Sequence, residues 1–158
     1  MTPNEAAAAL IGALPKAVSP SNLEEYGIDA TMERAQQISC ELLCLNLFWI
    51  SAAVEAHIPK KYQQLVRELV LQAVGSWWTT TPPLGPITWE SFLAEWEDRA
   101  RRYDQVLQQS GNTLAIHTEA TAYLEEQRIV SEDERGKLLT FFVDSVPVDL
   151  YGQVLQDI

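Results

Sequence analysis

The sequence predicts an all-α fold: a single helical bundle of about five principal helices, with short extra helical turns at both ends. Three observations predict it. Apolar residues recur at a 4-3-4-3-4 spacing in long segments. The breaks between those segments carry Pro, Gly, Ser and Asn. Period-two alternation, the mark of a half-buried strand, is absent over any useful length. The chain of 158 residues suits one domain over 1–158, and its 47% hydrophobic content suffices for a core without disulfide or metal.

The elements follow in order. Residues 3–14 read as an Ala-rich helix with Pro3 near its start, and Pro15 and Pro20 break the chain after it. Ser21 to Tyr26 can form one more turn, closed by Gly27. The segment 30–57 is apolar on most sides: Ile38, Leu42, Leu45, Trp49, Ala52 and Ala56 form one stripe, with Leu43, Leu47, Phe48, Ile50 and Val54 around them. Such a helix is the buried centre of a bundle. Pro59 ends it, and a helix over 60–78 follows with Tyr62, Leu65, Val66, Leu69, Ala73 and Trp77 as its expected inner face. Residues 79–87 are a loop by composition. Thr88 is placed to cap a helix over 88–109, in which Trp89, Leu93, Trp96, Ala100, Tyr103 and Leu107 share a face with Phe92 beside them. Asn112 caps a helix over 112–129 with a thin apolar face of Leu114, Ile116, Ala120, Tyr123 and Leu124. Ser131 and Glu134 have capping-box spacing for a helix over 131–146. Pro147 interrupts it, and Val148, Tyr151, Leu155 and Ile158 form a narrow stripe over 147–157.

The chain carries 22 acids against 11 bases, for a net charge of −11. Residues 1–80 account for −3 and residues 81–158 for −8. This balance repels nucleic acid and anionic membranes and attracts a basic partner. The longest apolar run, Leu42 to Val54, contains Asn46 and is too short and polar to span a membrane. Nothing at the N-terminus reads as a signal peptide. Cys40 and Cys44 share a helix face at a spacing poorly suited to a disulfide, so free thiols and a reducing cytoplasm are expected.

The chemistry-bearing patterns are few. There is no Glu-x-x-His, no His-Glu-x-x-His, no nucleophile elbow and no phosphate-binding loop. No metal or cofactor is therefore expected. His57 is expected to favour its helix C-terminus, and His117 has only Glu119 and Glu125 near it in sequence. Arg99, Arg101 and Arg102 each follow an acid by four, at Glu95, Glu97 and Asp98, which predicts a solvated, self-neutralised face.

Two patterns stand out. Trp77, Trp78, Trp89 and Trp96 gather in sequence around the loop that holds Pro83, either as a small core under the loop or as an aromatic surface for a protein partner. Asn46 sits in the most apolar helix, where its amide must find a partner. That partner can be another side chain or a small molecule in an internal pocket shared with Tyr103, His117 or Tyr123. The reading is a non-catalytic, cytoplasmic interaction or regulatory protein that binds a protein, basic in character, through the aromatic surface. A helical bundle with an internal pocket, enzymatic or not, is the alternative. The C-terminal stripe can dock on its own bundle or on a second copy, giving a homodimer. In size and acidity alone the chain is similar to secretion chaperones and to immunity proteins that inhibit toxins, and no motif carries that likeness further.

Overall fold

The computed structural model describes residues 2–15, 17–80 and 87–156. The described residues contain eight α-helices, one 3-10 turn and no strand. They are α1 (Pro3–Ala13), α2 (Pro20–Glu24), α3 (Met32–His57), α4 (Lys60–Thr80), α5 (Trp89–Ser110), α6 (Thr113–Glu126), the 3-10 turn Glu132–Glu134, α7 (Arg135–Ser145) and α8 (Val148–Gln156). The fold is all-α, as the spacing requires.

Local chemistry sets the ends. Thr2 and Glu5 form a capping box on α1, and Ser19 and Asn22 form one on α2, each with Pro at the first helical position. The Thr31 hydroxyl accepts from Arg34 N at 3.1 Å where α3 begins. Thr88 and Asn112 cap α5 and α6. Gly111 closes α5 at φ +67°, a conformation that a Cβ makes costly. Ser131 and Glu134 form the expected capping box, but the turn they open is 3-10 before the chain settles into α7.

The helices gather into two compact units. Unit 1 comprises Met1–Lys16, Asn46–Pro83 and Pro147–Ile158; unit 2 comprises Ala17–Leu45 and Leu84–Val146. Unit 1 thus holds α1, the second half of α3, α4 and α8. Here α1 packs against both α4 and α8. The buried row of α4 is Val66, Val70, Val74 and Trp78, not the expected row, of which only Val66 is buried. The apolar arc of α4 is wider than one contact can cover. Ala6, Ala7 and Leu10 of α1, the helix that packs on α4, are buried as well. On α8, Tyr151 and Leu155 are buried, and the Tyr151 hydroxyl donates to Asn46 Oδ1 at 2.6 Å. Tyr151 and Leu155 of the C-terminal stripe therefore dock within their own unit, and Ile158 lies outside the described residues.

Unit 2 holds α2, the first half of α3, α5, α6, the 3-10 turn and α7. Within it α6 packs against α5 and α7. Tyr26 stands edge-on to Phe141 at 5.1 Å and donates to Asp144 Oδ2 at 2.8 Å. Arg34 donates from Nε to Ile129 O at 2.7 Å and also reaches the Asp29 carbonyl and the Glu134 carboxylate. One guanidinium thereby fastens the start of α3 to the turn before α7.

By length and composition, two stretches pass as membrane spans: Met32–His57 (mean hydropathy 1.5) and Glu132–Gln156 (mean hydropathy 1.2). In α3 the helix extends well past the Leu42 to Val54 run, but 72% of its most apolar window is buried inside the protein, against 33% for the second stretch. The first is accounted for as a core helix.

The rotation of α4 yields a prediction. Trp78→Ala should lower unfolding stability by about 3–5 kcal/mol, and Trp77→Ala by less than about 1 kcal/mol. Equal losses for the two variants in urea unfolding would contradict the burial described.

Candidate functional site

The densest chemistry lies in unit 2, at one of the few buried polar positions of a largely apolar helix. Glu41 shares the α3 face of Ile38 and Leu45 and is buried with them. A lone carboxylate there would be very costly. Arg99 of α5, itself buried, answers it: Nε donates to Glu41 Oε1 at 3.0 Å. Tyr103, one helical turn on, donates its hydroxyl to Glu41 Oε2. Arg99 Nη1 donates to Asp98 Oδ2 at 2.9 Å, and its guanidinium carbon lies 3.4 Å from the ring centroid of Tyr123 on α6. Three helices thus meet on one guanidinium.

The electrostatics follow from burial. Burial raises the Glu41 carboxyl above its ordinary range, while Arg99 and Tyr103 draw it back down. Burial alone would lower Arg99, but Glu41 outweighs it and the guanidinium is raised. The Tyr103 hydroxyl is raised by burial and by the neighbouring carboxylate. Cys40 is pushed up to about 12 by burial, with Arg99 pulling weakly the other way, and burial raises Cys44 well above its ordinary value too. Both cysteines are free and are held as thiols. With both carboxylate oxygens occupied, the cluster is built to hold helices together. Such a pair contributes little over an apolar replacement, yet removing one member is strongly destabilising.

This overturns the expected arginine ladder. Arg99 is buried and pairs with Glu41 and Asp98, not Glu95. Arg102 pairs with Glu119 at 2.6 Å and Glu126 at 3.4 Å, and exposed Arg101 reaches only Asp98 at 4.0 Å. Partners on neighbouring helices win because they draw α3 and α6 onto α5. The sequence held a sign of this: Glu41 interrupts an apolar stripe.

The proposed pocket residues are assigned to both units. Asn46 belongs to unit 1 and its amide oxygen is taken by Tyr151. Tyr103, Tyr123 and His117 belong to unit 2, where Tyr103 and Tyr123 meet through Arg99. His117 is buried on α6 beside Ala120 and Thr121, and burial lowers it to about 4. Leu114, expected on the same face, is exposed. Among the described residues no three His, Cys, Asp or Glu side chains gather as a metal site would need.

The tryptophans also divide. Trp77 and Trp78 belong to unit 1, Trp89 and Trp96 to unit 2, and Pro83 lies outside the described residues. Trp78 is 7% exposed and Trp77 38%. Trp89 and Trp96 are half-buried, and Trp89 stacks on Phe92 at 5.6 Å. Trp77 continues an outward apolar row on α4. Tyr62 is 40% and Leu65 46% exposed, and Leu69 and Ala73 are half-buried between them and Trp77. This is the row expected to face inward. Over fifteen residues or so it runs about 22 Å along the helix.

Charge follows the units more sharply than the halves of the chain. Unit 1 holds five acids and four bases, a net of −1; unit 2 holds seventeen and seven, a net of −10. Compared with protein-family models, curated proteins and solved structures, the chain matches none.

Two predictions follow from the buried groups. Arg99→Met should cost about 3–5 kcal/mol, and the double variant Glu41→Leu with Arg99→Met should recover much of that loss. Additive losses in denaturant unfolding would show that the pair is not the unit. The second concerns pH. His117 is lowered in the fold, so the unfolded chain binds the extra proton between its ordinary value of 6.5 and about 4. Its contribution is complete above 6.5 and is lost as pH falls through that window, on the order of 3 kcal/mol in all. His117→Gln should flatten the stability profile there; an unchanged slope would reject the assignment.

Proposed function

We propose that this chain is a non-catalytic interaction or regulatory protein acting in the cytoplasm, and that its working face is the outward apolar row of α4. The observation that supports this reading is the exposure of Tyr62, Leu65 and Trp77 along one helix. An apolar row of that length suits an amphipathic helix from a partner, whose anchors at i, i+3, i+4 and i+7 match the spacing. The row keeps Trp77 from the expected aromatic surface and replaces buried Trp78 with Leu65 and Tyr62. The two apolar rows of α4 differ in role: Val66, Val70, Val74 and Trp78 are buried in the core of unit 1, where α1 packs on α4, and the outer row stays exposed.

The charge of unit 2 supports a second reading, an acidic inhibitor or chaperone that attracts a basic partner. A net of −10 would speed association and make it sensitive to salt. The two readings predict different losses on substitution.

A photo-crosslinking residue at Leu65 should capture a protein partner in cells, whereas the same residue at exposed Thr118 of α6 should not. Adding Trp77→Asp should reduce capture at Leu65 by about tenfold or more. Capture at Thr118 alone would favour the acidic unit. Capture at neither position would remove the α4 assignment.

A further inference from the structure

Unit 1 also holds a half-enclosed pocket of about 260 Å³ where α1 begins and α3 gives way to α4. Its apolar walls are Pro3 and Ala6 of α1, Ile58 and Pro59 of the α3–α4 link, and Tyr62 and Val66 of α4. Ala6, Ile58 and Val66 are buried and form its depth, and Pro3 is half-buried. Pro59 and Tyr62 are exposed and form its mouth, together with exposed Thr2 and His57.

The lining contains no Lys, Arg, Asp or Glu. Helix ends of both signs adjoin it, the C-terminus of α3 and the N-termini of α1 and α4, so neither sign of charge is favoured. The polar atoms of the walls are largely engaged. Thr2 Oγ1 accepts from Glu5 N at 3.1 Å in the capping box of α1. The Ile58 carbonyl accepts from Gln63 Nε2 at 2.9 Å, and the Pro59 carbonyl accepts from Tyr62 N at 2.9 Å. Pro3 and Pro59 carry no N–H. A guest therefore meets mostly carbon: two proline rings, the Tyr62 ring and small aliphatic side chains beneath them.

Size narrows the guest further. An apolar cavity of roughly 150 Å³ takes benzene, whereas sites for drug-sized ligands start at about 300 Å³. A pocket of about 260 Å³ lies between the two. We infer that it binds one neutral apolar ring system, of a size from benzene to indole. The source is a free molecule or the tip of an aromatic side chain. Pro3, Pro59 and Tyr62 cover the ring, and its inner edge points to Ala6. The proposal does not rest on the α4 reading: Tyr62 serves both, but the other walls lie off the outward row.

The test titrates the full chain with indole and with imidazole, a small polar ring, and follows the amide shifts. Indole should bind about tenfold or more tighter than imidazole, with shifts at Ala6, Ile58 and Tyr62. Tyr62 is exposed, so Tyr62→Ala leaves the core intact and should weaken indole about tenfold. Ala6→Val should fill the depth and abolish binding, with an otherwise unchanged amide spectrum as the check on folding. Trp77→Asp, at the far end of α4, should leave indole binding within about twofold while it removes the outward row. Loss of partner capture with indole binding intact thus separates the two proposals. N-acetyltryptophanamide distinguishes the sources: tighter binding than indole assigns the pocket to a protein side chain, weaker binding to a free ring. Equal binding of imidazole, undiminished binding by Tyr62→Ala, or shifts confined to other residues would overturn the proposal.

Discussion

A helix that is apolar on nearly every side has to be covered on nearly every side, and this constraint governs the arrangement around α3. Its few polar exceptions are what fix the registers of its neighbours. Ser39, Glu41 and Asn46 are all buried. Each has a specific answer: Val18 N donates to Ser39 Oγ at 3.0 Å, Arg99 and Tyr103 converge on Glu41, and Tyr151 donates to Asn46. Apolar packing tolerates small slips between helices, whereas a buried polar atom left without its partner costs about 1–3 kcal/mol and more for a charge. Three such atoms along one helix allow little sliding of the elements that meet them.

The same logic separates structure from function. Glu41, Arg99 and Tyr103 look like catalytic residues by type, but they bind one another, and Arg99 also binds Asp98. Burial holds Cys40 and Cys44 as thiols for the same reason that it demands a partner for Glu41. The exposed apolar side chains Tyr62, Leu65 and Trp77 lie in unit 1, along α4. Unit 1 is also the nearly neutral unit, so short-range contact rather than long-range attraction would govern what binds there. Unit 2, with its excess of acids, would act at longer range and lose that influence in salt.

Part of this was legible in the sequence. Helix positions came from periodicity and caps, because Thr88, Asn112, Ser131 and the prolines act through bonds only a few residues long. The burial of α3 came from its lack of a polar face. Asn46 was marked as needing a partner, though nothing in the sequence pointed to Tyr151, more than a hundred positions away. The faces of α4 were misread because two apolar rows lie side by side, and the helices that pack on α4 select between them. The arginines of α5 were misread because an acid four residues away is always available in sequence, while Glu41 becomes available only in space.

The sequence by itself determined the class of fold, the ends of most helices and the excess of acid, because each depends on composition or on neighbours within one or two turns. Only the tertiary structure decided which row of α4 turns outward, which acid Arg99 neutralises, and that Trp77 is exposed while Trp78 is not. Those choices rest on the shape and charge of helices distant in sequence. A helix with more apolar surface than one contact can bury leaves the choice of face to its neighbours.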